Sequence, residues 1–157
     1  MGKVVVLLGS NIDPAINIRQ GARLLSEKVN IIHSSSVWIT PAEGTSGPDF
    51  YNAAVLCETP MTEETLKLNI LRPLEELLGR VRTHDKFAPR TIDMDVIIKD
   101  GKILDARLWN TAFILLPIAE IASDLRDPST GKSIRELAKA MEPISGARKK
   151  DNFPLFQ

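Results

Sequence analysis

Three arginines, Arg80, Arg82 and Arg90, stand just ahead of two aspartates, Asp93 and Asp95, in the run GRVRTHDKFAPRTIDMDVII. Guanidinium groups present fixed, paired donors that match phosphate oxygens, and they stay charged at every physiological pH. Asp93 and Asp95 alternate with Ile92, Met94 and Val96, so a strand over Ile92–Ile98 turns both carboxylates to one face. Two carboxylates on one face suit a hard cation. Magnesium takes one or two from a protein and completes its shell with phosphate and water oxygens. The run therefore holds the materials of a metal-assisted polyphosphate site. The competing reading is a solvated hairpin with ordinary salt bridges. Against it, aspartate is a poor strand former, and conflicts between propensity and pattern are expected at functional sites.

Other elements must hold this run in place. Lys3–Leu8 is a continuous β-branched and leucine run that reads as a buried central strand, with Gly9-Ser10-Asn11 turning the chain after it. Ile16, Ile18, Ala22, Leu24 and Leu25 give a helical pattern over Pro14–Val29, with Asp13 as candidate N-cap. Ile31–Thr40 and Tyr51–Thr59 read as strands, separated by the proline- and glycine-rich loop Pro41–Asp49. Thr62 starts a second helix whose stripe runs to Gly79 and which Pro73 should bend. Asp100-Gly101 is a hairpin signal after the aspartate strand. Short helices are expected over Phe113–Ala122 and over Ser133–Met141, the latter capped by Ser133, and a polar, loosely attached tail from Gly146. The order strand, helix, strand, strand, helix, strand predicts an α+β, ferredoxin-like βαββαβ core with a mainly antiparallel sheet and extra C-terminal helices.

The 157 residues suit one domain, 1–157, and 43% apolar with 25% charged residues is ordinary for a globular protein. Formal net charge is zero, so no global field argues for nucleic acid or an anionic membrane, and an anion site must come from local clustering. Cys57 is the only cysteine and lies in an apolar run, which predicts a buried thiol and a reducing, cytoplasmic setting. No apolar stretch is long enough to span a membrane.

Gly9-Ser10-Asn11, Thr40-Pro41, Phe50-Tyr51-Asn52-Ala53-Ala54, Glu75, Gly79-Arg80-Val81-Arg82, Pro89-Arg90-Thr91-Ile92-Asp93-Met94-Asp95 and Phe113-Ile114-Leu115-Leu116-Pro117 follow one another in order. This series resembles the 6-hydroxymethyl-7,8-dihydropterin pyrophosphokinase family of folate biosynthesis, from about Val4 to Leu125. The resemblance implies transfer of pyrophosphate from ATP to the pterin's hydroxymethyl oxygen, giving AMP and the pterin diphosphate. It implies that Asp93 and Asp95 hold two Mg²⁺ ions, that Asp95 helps deprotonate the attacking hydroxyl, and that Arg82 and Arg90 contact phosphate. Arg80 falls on the family's mobile catalytic loop. The pterin is expected between Phe50 and Phe113, with Asn52 on its edge and the backbone around Thr40, Pro41 and Ala42 beside it. Glu75, Val96 and Arg107 are expected near the nucleotide. The expected partners are these two small molecules, with neither nucleic acid nor membrane.

The sequence also departs from the family pattern. Between Arg107-Leu108 and Phe113 only Trp109-Asn110-Thr111-Ala112 intervene, without the family's histidine and further arginine, and Phe87 replaces the loop's usual tryptophan. His84 is a candidate substitute phosphate contact or an exposed loop histidine. Two other readings stay open: a pterin- or nucleotide-binding module that kept the fold but lost efficient catalysis, and an interaction domain whose basic loop meets an acidic partner. The surface loop Thr83–Ala88 is expected to close over bound ATP and bring Arg80, Arg82 and Phe87 over the phosphates.

Overall fold

The β-branched run at the start of the chain becomes β1 (Gly2–Ser10) in the computed structural model, which describes residues 1–42, 47–81 and 89–157. Val4, Val6 and Leu8 enter one apolar cluster while Val5 and Leu7 enter another, so the strand is covered on both faces. The strand also runs through Gly9 and Ser10, where a turn was expected. The chain then enters α1 (Pro14–Ser26), which buries Ile18, Gly21, Ala22 and Leu25, whereas Ile16 is 60% exposed. Asp13 occupies the N-cap position but makes no side-chain cap. It sits in a left-handed turn (φ 40°), and its carbonyl accepts the Ile16 and Asn17 amides.

The expected strand Ile31–Thr40 is two strands, β2 (Asn30–Ser34) and β3 (Trp38–Thr40), both antiparallel to β4 (Phe50–Thr59). Ser35 makes the break. Its amide donates to the Ala54 carbonyl at 2.8 Å while its hydroxyl, rather than a backbone carbonyl, accepts the Ala54 amide at 2.9 Å. A serine side chain has here replaced one rung of the ladder.

Thr62 caps α2 (Glu63–Leu66), accepting the Thr65 amide. The helix then widens into a π segment, Lys67–Leu71, before α3 (Arg72–Leu77). Pro73 lacks an amide proton, so the wide turn just ahead of it takes up the bend expected there. β5 (Asp93–Lys99) pairs antiparallel with β1, and Asp100 and Gly101, at φ 48° and 81°, turn the chain into β6 (Lys102–Ile103). A short 3₁₀ turn (Ala106–Trp109) leads to α4 (Ala112–Ile121), and α5 (Ile134–Ser145) begins at Ser133 with a reciprocal capping box to Glu136.

The sheet order is β6-β5-β1-β4-β3-β7, with β2 also on β4 and every recorded pairing antiparallel. Omitting the hairpin and tail additions, this is the ferredoxin-like arrangement in which β1 and the β2/β3 pair flank β4. α1 and the α2–α3 helix cover one face, and α4 and α5 cover the other. Gly21 brings α1 close to the aspartate strand: a Cβ there would meet Met94 Cε at 3.0 Å and Ile92 Cδ1 at 3.1 Å.

The tail is not loosely attached. β7 (Arg148–Lys149) adds to β3, Leu155 is 4% exposed in the core, and Arg19 stacks on Phe153 at 3.6 Å while its Nε donates to the Pro154 carbonyl. Its few apolar residues, Phe153, Leu155 and Phe156, are spaced too irregularly to register as an element, yet all three pack on the α1 side of the sheet.

Candidate active site

Sheet register assembles the site. Gly9 of β1 faces Asp93 on one side and Asn52 on the other, and Asn52 faces Trp38. Residues two apart on a strand share a face, so Asp93 with Asp95, Asn52 with Phe50 and Trp38 with Thr40 all lie on the α4 side. Met94, between the aspartates, is fully buried in the opposite cluster, which fixes that parity. α4 is held over this face by Glu120, whose carboxylate accepts Trp38 Nε1 at 2.6 Å and the Ser36 hydroxyl at 2.9 Å. Phe113 lies in the first turn of α4.

The residues expected around a pterin are brought together here. Asn52 and Thr40 are 3% and 2% exposed, and Asn52 Nδ2 donates to Thr40 Oγ1 at 2.6 Å. Gly9 makes room for them, because a Cβ there would lie 2.8 Å from Asn52 Oδ1 and 3.8 Å from Phe50 Cδ1. Phe50 and Phe113 are half-buried rather than sealed in the core. Pro41 is exposed and Ala42 half-buried at the end of β3, with Gly146 packed near the Pro41 ring.

The aspartates differ in their surroundings. Arg90 Nη1 donates to Asp93 Oδ2 at 3.1 Å, and the Arg90 backbone is pinned to Asn11: its amide donates to Asn11 Oδ1 at 2.6 Å and its carbonyl accepts the Asn11 amide at 3.0 Å. Asp95 is 3.7 Å from Arg72 Nη2. Burial, then the charge and hydrogen bond of Asp93, push the Asp95 carboxyl up to about 6, with the Arg72 guanidinium acting in the opposite direction. A carboxylate pair under such mutual repulsion gains from a cation placed between its members. Among the described residues no group of three or more His, Cys, Asp or Glu could hold a metal.

Glu75 is 1% exposed, not on a solvated face. Its carboxylate accepts the Met94 amide at 2.7 Å and Arg72 Nη1 at 2.9 and 3.0 Å, and its backbone carbonyl accepts the Arg80 amide. Arg80 thus begins its loop fastened to α3, and its Nη1 donates to the Val81 carbonyl at 2.7 Å. Beside Asp95 opens a cleft of about 210 Å³ lined by Glu63, Lys67, Arg72, Val96, Asp105 and Arg107 among others. Val96 and Arg107, expected near the nucleotide, are therefore together in it. Arg107 chelates Asp105, with Nη2 to Oδ2 at 2.8 Å, and lies 5.8 Å from the Phe113 ring, between the cleft and the pterin-side residues. Arg82, His84 and Phe87 lie outside the described residues.

Three residues here escaped the sequence reading. Arg72 carried one available signal, its i, i+3 spacing from Glu75 on a helix. In sequence Gly9 and Asn11 look like turn formers, whereas in the fold Gly9 clears space for Asn52 and Asn11 holds Arg90.

A family model described as 7,8-dihydro-6-hydroxymethylpterin-pyrophosphokinase (HPPK) matches residues 5–123. The chain is 34% identical to a 2-amino-4-hydroxy-6-hydroxymethyldihydropteridine pyrophosphokinase of Synechocystis sp., covering 88% of this chain and 75% of the relative. It is likewise 34% identical to the protein of that name from Methylorubrum extorquens, covering 91% of this chain and 96% of the relative. Among solved structures, wild-type Plasmodium falciparum HPPK-DHPS superposes with a TM-score of 0.69 at 13% identity. That match covers 94% of this chain, which spans 48% of the longer protein, and it supports the fold alone.

Proposed function

Because the chain belongs to the 7,8-dihydro-6-hydroxymethylpterin-pyrophosphokinase family, we propose that it transfers pyrophosphate from ATP to 6-hydroxymethyl-7,8-dihydropterin, giving AMP and the pterin diphosphate. The observation that carries the reading is one sheet face on which Asp93 and Asp95 stand across Gly9 from Asn52, with the Arg107 cleft alongside. Residues 1–157 act as one pyrophosphokinase-like domain in this reading, in the cytoplasm.

Asn52 and Thr40, buried and hydrogen-bonded to each other, offer a fixed polar edge that suits a flat heterocycle, with Phe50 and Phe113 supplying ring faces. The pterin's hydroxymethyl oxygen attacks the β-phosphorus of ATP. The bond from that phosphorus to the oxygen bridging it to the α-phosphorus breaks, and AMP leaves. By the family resemblance, Asp95 is the group that would help take the proton from the attacking hydroxyl. Asp93 and Asp95 would hold Mg²⁺, two ions by the family resemblance, which when bound neutralises charge on the phosphate oxygens. Arg90, oriented by Asn11 and Asp93, and the loop arginines Arg80 and Arg82 supply the cationic groups that phosphoryl transfer demands. Glu75 serves the nucleotide side through Arg72 and the Met94 amide.

Chromatography of a reaction mixture tests this. AMP should form only when ATP, pterin and Mg²⁺ are all present, and Asp95→Ala should abolish it while the protein stays folded. ADP as the product, or full activity in Asp95→Ala, would remove the proposal.

A further inference from the structure

Glu63, Lys67 and Arg72 form one wall of the cleft beside Asp95. The steps between them are four and five residues, and a regular α-helix would rotate the second step well off the face. The π segment prevents that: the Arg72 amide donates to the Lys67 carbonyl, a five-residue step that brings the two side chains to the same side. Wide turns of this kind occur often at functional sites.

Arg72 is held by one edge. Nη1 donates to both Glu75 oxygens, at 2.9 and 3.0 Å, and to the Met94 carbonyl at 3.2 Å. Nη2 is 3.7 Å from Asp95 Oδ1, beyond direct hydrogen-bond reach, so this contact leaves its protons available. The side chain is 22% exposed, and that exposure falls in the cleft wall that also carries Asp95 and Arg107. A guanidinium fixed on one edge with donors left on the other is pre-organised to bind an oxyanion. Among the described residues that line the cleft, the cationic side chains are Lys67, Arg72 and Arg107.

We propose that Arg72 is a substrate-binding residue that holds anionic oxygens of the ATP polyphosphate through its Nη2 edge. The inference rests on the pyrophosphokinase reading above and adds a residue to its nucleotide side. Glu75 is then the group that aims Arg72, and the π segment is the backbone feature that brings Arg72 to the cleft.

Calorimetry with Mg²⁺ and a non-hydrolysable ATP analogue, and separately with the pterin, tests the assignment. Arg72→Gln should raise Kd for the analogue roughly tenfold or more and leave the pterin Kd unchanged. Arg72→Lys, which keeps the charge but not the fork, should lose less. Since Arg72→Gln alone strips a buried carboxylate of its cation, Arg72→Gln with Glu75→Gln provides a variant without that imbalance, and it should show the same selective loss. An analogue Kd within about twofold of wild type in the double variant, or equal weakening of pterin binding, would overturn the assignment. A wild-type protein that makes ADP would instead remove the pyrophosphokinase reading and leave this binding result standing.

Discussion

Glu75 Oε2 accepts the Met94 amide at 2.7 Å, so a buried carboxylate of α3 is fastened to the strand between Asp93 and Asp95. The same carboxylate takes Arg72 Nη1, and helix, strand and cleft wall therefore meet at one group. Glu75→Ala leaves a buried amide and a largely buried guanidinium without this acceptor, and should cost about 3 kcal/mol. Glu75→Gln keeps an acceptor for Met94 and should cost less. Urea unfolding checks both, and an alanine variant as stable as wild type would show that Glu75 is not the fastening.

Gly9→Ala should impair the pterin side selectively. A Cβ there would lie 2.8 Å from Asn52 Oδ1, and Asn52 cannot swing away without giving up its 2.6 Å bond to Thr40. Overpacking of this kind typically costs about 1–3 kcal/mol, and here it falls on the substrate edge. The expected result is a pterin KM raised roughly tenfold with the ATP KM little changed. Equal effects on both constants would point to a general distortion of the sheet.

The strand, turn and cap signals that held are local, whereas Asp13 makes no side-chain cap and Ile31–Thr40 is divided in two. The run Val4–Leu8, the Asp100-Gly101 turn and the Ser133 cap all appear where sequence put them. The alternation that aimed Asp93 and Asp95 to one face also held, since Met94 is buried opposite them. What was illegible depends on partners far along the chain. Ser35 breaks a strand by bonding Ala54, Glu75 is buried by Met94, and the tail docks through Arg19 and Phe153. None of these bonds leaves a periodicity to read.

The C-terminal tail should contribute substantially to stability. Leu155 is 4% exposed within the cluster that holds Ile18 and Leu25, and Leu155→Ala removes its buried methyl groups. A loss of about 2–3 kcal/mol is expected. Unchanged denaturation midpoints would mean that the tail adds nothing to the core.

Asp95 should make stability fall with pH in the absence of ligands. Its carboxyl is raised from 3.8 to about 6 in the folded protein, so the native state binds its proton more tightly than the unfolded chain does. That contribution is fully present below about pH 4 and is lost as pH rises through about 6. With 44% of the side chain exposed, solvent screening leaves an effect of about 1 kcal/mol. The stability gap between Asp95→Asn and wild type should therefore widen in favour of the variant from pH 4 to pH 7. A gap that is constant over that range would contradict the raised carboxyl.

The fate of the β-phosphorus tests the central claim most directly. Incubation of the protein with ATP labelled at the β-phosphate, Mg²⁺ and 6-hydroxymethyl-7,8-dihydropterin should put the label in the pterin product, with unlabelled AMP released in equal amount. Label recovered in ADP, or label leaving ATP equally well without pterin, would contradict the transfer of pyrophosphate by this site.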